Sequence, residues 1–306
     1  MSEYSLITRY FVPLAEHFSG SLFLSDDAAI LDVPAGQQLV ITKDSISEGV
    51  HFIGNEAPAL IAKKLLRTNL SDLAAMGATP YCYFLSIALP TPLDESYIQA
   101  FASGLADDQK TFLIHLAGGD TITTKSAATF SITAHGLVPH GKALRRNGAK
   151  VGDIIYVSGT LGDAALGLQQ LKTGGTDQYL INRYQLPQPR VSLGESLRDI
   201  ATSCIDISDG LLADMNHICK ASNVGADIHQ THLPLSAAAH KQVEKDAANW
   251  AYIYAGGDDY ELLFTLPEGT KAPQYCTAIG RITQGHRVRL LDDETEITPE
   301  RLGYSH

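Results

Sequence analysis

Hydrophobic positions in the first half of the chain follow helical spacing in some stretches and strand spacing in others. The strongest helical pattern runs over 56–76, where Gly77 can close the helix. Helical spacing also predicts helices over 94–110 and over 3–18, where Pro13 should kink or end the helix. Continuous or alternating apolar runs predict strands over 28–33, 38–43, 81–89, 112–117 and 127–138.

The segment 139–153, rich in glycine and basic residues, interrupts this pattern and predicts a domain junction. After it, strands are predicted over 154–157, 204–207, 260–265, 276–280 and 287–291, and helices from about 162 and over 177–185, 190–201 and 211–221. A chain of 306 residues suits two domains of roughly 100–200 residues, predicted here over 1–139 and 140–306. Since both halves mix strands with helices, the predicted class is α/β, or α+β with mixed sheets.

Composition narrows the range of partners. The chain is 44% hydrophobic and 19% charged, which is typical of a globular protein. Its formal net charge of −11 and the lack of a cluster of lysine or arginine argue against nucleic acid and anionic membranes as partners. Four scattered cysteines, no leader-like start and no apolar run approaching about 18 residues predict a cytoplasmic protein without a membrane span.

Aspartates lie beside glycine, serine or threonine at the ends of the apolar runs. The segments are 25–29, 42–44, 69–73, 118–121, 206–211 and 256–261. Any single segment fits helix capping or a turn, but Asp72 lies inside an apolar helical pattern. An ionised carboxylate there costs several kcal/mol unless it is paired or bound to a cation. Carboxylates and hydroxyls without a cysteine or histidine spacing favour Mg²⁺, which commonly shares its ligands with phosphates and so points to a nucleotide.

Other possible motifs are less specific. Residues 136–142 resemble a phosphate-binding loop, but Ala143 stands where Mg²⁺ binding requires serine or threonine. The segment 159–163 opens a predicted helix and either binds an anion there or is only a turn and cap. His51 follows the Asp44 segment closely and is either a residue of the same cleft or a surface-loop histidine.

Taken in order, the aspartate segments resemble the thiamine-monophosphate kinase family, within the aminoimidazole ribonucleotide synthetase superfamily. The most specific strings are Glu-Gly-Val-His-Phe at 48–52 and Asn-Leu-Ser-Asp-Leu-Ala-Ala-Met-Gly-Ala at 69–78. The weaker matches are Asp-Asp-Ala-Ala at 26–29, Gly-Gly-Asp-Thr at 118–121, the 147–153 segment, Asp-Ile-Ser-Asp-Gly-Leu at 206–211 and Gly-Gly-Asp-Asp-Tyr-Glu-Leu at 256–262. Together they span the chain from about residue 5 to residue 304.

The resemblance implies direct transfer of the γ-phosphoryl group of ATP to thiamine monophosphate, with Mg²⁺ and without a protein nucleophile. The implied metal ligands are Asp27, Thr42, Asp44, Asp72, Asp120, Asp206 and Asp209. The implied ATP contacts are Gly119, Asp120, Arg146 and Ser208, and the implied thiamine contacts are His51, Asp258 and Tyr304. Phosphoryl transfer needs positioning and charge neutralisation more than covalent chemistry, which agrees with the crowd of carboxylates.

The resemblance also implies a two-domain aminoimidazole ribonucleotide synthetase-like fold. N-terminal domains of two copies would pair into a β-barrel across a homodimer, and the second domain would cover the nucleotide and substrate site. Two positions depart from the family pattern: Ser25 replaces a usual glycine and Lys43 replaces a small hydroxyl residue. A turn with positive φ would be strained at Ser25, or differently shaped. At Lys43 little changes if the position binds metal only through its backbone, but metal binding would suffer if the side chain were a ligand.

Several alternatives compete with this interpretation. A ring-closing ribonucleotide synthetase is the nearest, but the 48–52 and 69–78 strings fit it less well. A selenophosphate synthetase would need a reactive residue before Cys82, and a hydrogenase-maturation protein would end in cysteine rather than His306. A nucleotide-binding regulator without activity is disfavoured by the intact aspartate set.

Overall fold

The computed structural model describes residues 3–91 and 94–304, and it divides the chain into two compact units. The first unit comprises Met1–Leu73 and Ala78–Gly141, and the second comprises Ala74–Gly77 and Lys142–His306. Within the described ranges, no helix combines the length and apolar character needed to cross a bilayer.

The first unit begins with short helical pieces and continues as a mixed α/β arrangement. Its elements are α1 (Glu3–Leu6), a π-helix (Ile7–Phe11), α2 (Val12–Ala15), a 3₁₀ helix (Ser19–Leu24), β1 (Gln37–Ser47), α3 (Pro58–Ala75), β2 (Thr79–Pro90), α4 (Glu95–Phe112), β3 (His115–Thr124) and β4 (Thr129–Pro139). Pro13 does not end the helical region. It lies in the first turn of α2, where the N–H that proline lacks would have no partner within the helix.

The strand predicted over 28–33 is wrong, because the chain there has no strand pairing. The N–H of Ile30 donates to the carbonyl of Gly20 at 2.8 Å. Ala29 and Leu31 pack against a small buried cluster that includes Phe18. The apolar residues of this segment therefore reflect packing of a loop.

The sheet of the first unit has the order β1-β4-β2-β3. β4 is antiparallel to both β1 and β2, whereas β2 and β3 are parallel. Phe101 of α4 stacks on Phe130 of β4 with ring centroids 4.8 Å apart, which places α4 against one face of the sheet. On the opposite face, Ile41 of β1 is 59% exposed.

The second unit contains a larger mixed sheet and several helices. Its elements are β5 (Ile154–Ser158), α5 (Asp163–Thr173), α6 (Gln178–Gln185), α7 (Val191–Leu197), β6 (Ser203–Asp206), α8 (Leu211–Ser222), β7 (Gly225–His229), a 3₁₀ helix (Gln230–His232), α9 (Ala237–Lys245), a 3₁₀ helix (Ala247–Asn249), α10 (Trp250–Ala255), β8 (Leu262–Leu266), β9 (Cys276–Thr283), β10 (Val288–Asp292) and β11 (Thr295–Ile297). The strand order is β11-β10-β7-β9-β5-β8-β6. The predicted class, α/β with mixed sheets, is confirmed in both units.

Burial explains which elements of the second unit the sequence revealed. All five residues of β8 are buried, and the run of apolar residues that predicted this strand reflects that burial. The half-buried β7 and the short β11 lack such a run, and the prediction missed them. It also missed α9 and α10, which are nine and six residues long.

Candidate functional site

Three of the predicted metal ligands meet between β1 and α3. Strand alternation places Thr42 and Asp44 on the same face of β1. The hydroxyl of Thr42 donates to Oδ2 of Asp72 on α3 at 2.5 Å. The side-chain oxygen of Asn69 accepts the N–H of Asp44 at 3.1 Å, and its amide group donates to the carbonyl of Leu65 at 2.9 Å. The structure thus brings two carboxylates and a hydroxyl to one place.

The electrostatics of this group favour a cation. Burial and, to a lesser extent, the negative charge of Asp72 together raise the pKa of Asp44 to about 6. Two carboxylates that oppose each other's ionisation are stabilised by a divalent cation, and oxygen donors of this kind are the ligands Mg²⁺ prefers.

A second acidic group of the first unit lines a cleft of about 400 Å³. Asp26 and Asp27 reach it from the loop after the 3₁₀ helix, while Gly119 and Asp120 reach it from β3. A Cβ at position 119 would lie 2.1 Å from the carbonyl oxygen of Leu85, so glycine is needed for the close approach of β3 to β2. Apolar side chains complete the walls, and the carboxylates favour a cation, so the cleft suits a cation-bound ligand that also has an apolar part.

The two departures from the family pattern cause no local conflict. Ser25 has φ of −104°, which any residue adopts, and the positive φ values fall instead on Leu22, Phe23 and Leu24. Lys43 lies on the opposite face of β1 from Thr42, where its amine donates to the hydroxyl of Ser131 at 2.7 Å. Of the two alternatives at Ser25, the structure has the differently shaped turn, and the Lys43 side chain is directed away from the carboxylates.

His51 lies in the loop between β1 and α3, and it is half-buried. Its Nδ1 accepts the N–H of Ser47 at 3.2 Å, and its carbonyl accepts the amine of Lys64 at 3.0 Å. The imidazole is therefore held by the protein rather than left as a mobile surface side chain.

Predicted residues of the second unit gather around the loop that follows β6. Asp206 ends that strand and is buried. The carbonyl of Ser208 accepts the N–H of Asp258 at 3.0 Å, and the carbonyl of Asp209 accepts the N–H of Tyr304 at 2.9 Å. These bonds join three sequence-distant segments, so Ser208, Asp209, Asp258 and Tyr304 form one group.

The sequence analysis missed Asp214, which shapes this loop from the first turn of α8. One of its carboxylate oxygens accepts the N–H groups of Ser208, Asp209 and Gly210, each at 3.1 Å. Burial raises the pKa of Asp214 to about 7, with a further contribution from the charge of Asp209. The available signal was an aspartate placed early in a predicted helix, where carboxylates bind free N–H groups.

Asp214 also belongs to a group that could hold a metal ion. Oxygen and nitrogen atoms of Asp209, Asp214 and His217 lie within 4.8 Å of one another. Across residues 3–91 and 94–304, these are the one set of three or more acidic, histidine or cysteine residues that meets this distance. Of the predicted ligands, Asp209 is in the set and Asp206 is not.

The N-terminus of α5, at 159–163, is capped by a side chain of the protein and is not open to an anion. The carboxylate of Asp259 accepts the N–H of Gly162 at 2.7 Å and that of Ala164 at 3.4 Å. The free N–H groups at the start of α5 are therefore already bonded to a carboxyl group of the protein itself. Burial raises the pKa of Asp259 to about 8, although these two bonds act in the opposite direction.

Arg146 stands apart from the other predicted residues of the second unit. It is exposed, and its carbonyl accepts the hydroxyl of Ser222 at 3.1 Å. Ser222 ends α8, whereas Asp209 precedes the start of the same helix. At about 1.5 Å per residue, the backbone of Arg146 is separated from Asp209 by roughly the length of α8. The role of Arg146 toward ATP stays a prediction.

Comparison with known proteins places the chain in a family. A family model described as AIR synthase related protein, N-terminal domain, matches residues 25–138. The thiamine-monophosphate kinase of Escherichia coli K12 is 44% identical over 322 residues, which cover 99% of this chain and 98% of that protein. The chain belongs to the thiamine-monophosphate kinase family. This confirms the resemblance found in the sequence.

Solved structures of the family share the fold. A thiamine-monophosphate kinase from Stenotrophomonas maltophilia K279a is 40% identical with a TM-score of 0.82, and the match covers 89% of this chain and 91% of that one. AaThiL, which was solved in complex with AMPPCP and TMP, is 32% identical with a TM-score of 0.81, and 92% and 91% of the two chains are covered. The predicted aminoimidazole ribonucleotide synthetase-like fold is thus confirmed.

Proposed function

We propose that the protein transfers the γ-phosphoryl group of ATP to the phosphate of thiamine monophosphate, which gives thiamine diphosphate and ADP. The observation that carries this proposal is family membership over nearly the whole chain, at 44% identity to a thiamine-monophosphate kinase. AaThiL, with both AMPPCP and TMP bound, supports the same pair of ligands. The new bond forms between an oxygen of the acceptor phosphate and the γ-phosphorus, while the bond from that phosphorus to the β–γ bridging oxygen breaks.

Mg²⁺ fits the donor set of the first unit. Thr42, Asp44 and Asp72 offer a hydroxyl and two carboxylates, and the charge of Asp72 raises the pKa of Asp44 in the absence of a cation. Asp27 and Asp120 offer two more carboxylates along the cleft. Bound there, Mg²⁺ would neutralise the charges of the phosphates. Asp206 and Asp209 are the ligands proposed from the second unit.

The chain itself would bind and orient the two substrates. Gly119, Asp120, Arg146 and Ser208 are proposed to contact ATP. His51, Asp258 and Tyr304 are proposed to contact the thiamine part, where a carboxylate complements the cationic thiazolium and an aromatic ring stacks on it. Because the acceptor is already an anion, we propose that no protein nucleophile takes part.

We also propose that the protein is a homodimer formed through the sheet of the first unit. Ile41 on β1 and Ile122 on β3 are 59% and 53% exposed, which leaves apolar area on the strands available for a second copy. The four cysteines are free, which fits the reducing environment of the cytoplasm.

The test is direct detection of thiamine diphosphate after incubation with ATP, Mg²⁺ and thiamine monophosphate. Unphosphorylated thiamine and formylglycinamidine ribonucleotide serve as parallel substrates. Product from the monophosphate alone supports the kinase, whereas product from the ribonucleotide would favour a ring-closing synthetase. ATP binding without turnover of any of the three would favour a regulator, and the kinase proposal would be abandoned.

A further inference from the structure

We propose that Lys64 is a positioning residue that holds His51 in the orientation needed to donate a hydrogen bond to the substrate from Nε2. This inference rests on the proposed function, because the proposed ligand of His51 is thiamine monophosphate. Lys64 lies on α3, thirteen positions after His51, and it is not among the residues that the sequence pattern singled out.

The burial of Lys64 is unusual for a lysine on an amphipathic helix. The residue is only 4% exposed, although lysine is rarely buried without a partner. Its amine donates to the carbonyl oxygen of His51 at 3.0 Å. The neighbouring Lys63 shows the usual behaviour, because its amine reaches outward to Asp107 at 2.9 Å, and Asp107 is 58% exposed. The buried amine of Lys64 therefore bonds to the loop that contains His51, whereas that of Lys63 bonds to a residue at the surface.

Further contacts fix the same loop from other directions. The carboxylate of Glu56 accepts the N–H groups of Ile53 and Gly54 at 2.8 and 2.7 Å. The N–H of Gly49 donates to the carbonyl of Phe52 at 2.7 Å, and the Phe52 side chain is buried. Hydrogen bonds therefore hold the residues on both sides of His51, and the hydrogen bond from Lys64 holds the carbonyl of His51 itself.

The orientation of the imidazole follows from its own hydrogen bond. Nδ1 of His51 accepts the backbone N–H of Ser47 at 3.2 Å, so this nitrogen carries no proton. The proton of the neutral ring is then on Nε2, which can only donate. A substrate atom facing Nε2 must be an acceptor, such as a phosphate oxygen or an unprotonated nitrogen of the pyrimidine ring.

The first test compares Lys64→Met with Lys63→Met, which removes an adjacent amine from the same helix. We expect Lys64→Met to raise KM for thiamine monophosphate by about tenfold while kcat and KM for ATP stay within about twofold, because only a substrate contact is misplaced. Lys63→Met should change none of these constants. If both variants behave alike, or if Lys64→Met lowers kcat alone, the positioning role is overturned.

A double-mutant cycle separates positioning from general stability. In a His51→Ala background, Lys64→Met should have little further effect on KM, because the group that Lys64 positions is gone. Additive effects of the two substitutions would overturn the proposal. If Lys64→Met does not fold, Lys64→Gln takes its place, because it keeps a polar end but is one bond too short to reach the carbonyl of His51 as the lysine does; an unchanged KM for thiamine monophosphate would contradict the proposal.

A spectroscopic measurement makes the inference independent of activity. Nitrogen-15 NMR of the histidine side chains should show the Nε2–H form for His51 in the wild type, assigned by its loss in His51→Ala, and a mixture of tautomers in Lys64→Met. If the wild type fails to phosphorylate thiamine monophosphate, the proposed function fails, and this comparison still decides whether Lys64 holds the ring. An Nδ1–H form in the wild type would overturn the inference.

Discussion

The hydroxyl of Thr42 on β1 donates a hydrogen bond to the carboxylate of Asp72 on α3 at 2.5 Å. A hydrogen bond to an ionised acceptor is stronger than one between neutral groups, and it occupies one oxygen of Asp72. Asp44 lies two residues from Thr42 on the same face of β1. This hydrogen bond therefore holds the carboxylate of Asp72 close to that of Asp44, and the two carboxylates can share a cation.

Asp72→Asn should separate cation binding from folding. The wild type is expected to gain thermal stability with Mg²⁺, by about 2.7 kcal/mol when the ion is present at about 100 times its Kd. The variant should lose most of that gain and lower turnover by orders of magnitude, because a ligand is missing. Thermal melts with Mg²⁺ and with a chelator measure the gain, and Asp107→Asn, at an exposed surface pair, is the control.

Glu261→Gln should destabilise the second unit strongly. The carboxylate of Glu261 is fully buried and accepts hydrogen bonds from Arg183 and Arg190, at distances of 2.5 to 3.0 Å. Removing its charge leaves the Arg190 guanidinium without its acidic partner and leaves Arg183 with only Asp163, at 4.0 Å, which costs roughly 3–5 kcal/mol. Urea unfolding measures this loss.

A surface pair in the same unit provides the comparison for Glu261. Glu268 also accepts two hydrogen bonds from one arginine, Arg281, but both side chains are exposed. Glu268→Gln should therefore cost only a small fraction of the loss in Glu261→Gln, because solvent screens the exposed pair. Equal losses in the two variants would contradict the assignment of the large effect to burial.

Asp259→Asn should change the pH dependence of stability. Burial raises the pKa of Asp259 to about 8 in the folded state, above the value of about 3.9 for an unfolded chain. Its contribution to stability is therefore fully present below the unfolded pKa and is lost as pH rises toward 8. The unfolding free energy of the wild type minus that of Asp259→Asn should fall by about 1.4 kcal/mol per pH unit between about pH 5 and 7. Urea unfolding at several pH values measures this difference, and a constant difference would refute the prediction.

Gly119→Ala should cost stability through overpacking. The added Cβ would lie 2.1 Å from the carbonyl oxygen of Leu85, so β2 and β3 must move apart. Overpacking of this kind costs typically about 1–3 kcal/mol. Thr123→Ser, at an exposed position of the same strand, changes a side chain without adding a Cβ and tests whether β3 tolerates substitution in general. We expect chemical denaturation to show the larger loss for Gly119→Ala; equal losses would mean that β3 is intolerant for another reason.

The sequence by itself determined the features that depend on local pattern. The apolar spacing of 56–76 predicted α3, and the run at 260–265 predicted β8, because a buried face requires apolar residues at a fixed period. The aspartates at the element ends, together with the strings at 48–52 and 69–78, were sufficient to indicate the family. Each of these signals lies within a few neighbouring residues.

Tertiary structure alone decided how distant residues pair. Asp259 caps α5 from nearly 100 positions away, and the apolar segment 28–33 packs without joining a sheet. Lys64 and Lys63 are the same residue type on one helix, yet Lys64 is buried against His51 whereas Lys63 is half-buried and bonds to the exposed Asp107. Side-chain pairing of this kind depends on which surfaces the fold brings together, and a local pattern of apolar and polar residues does not contain that information.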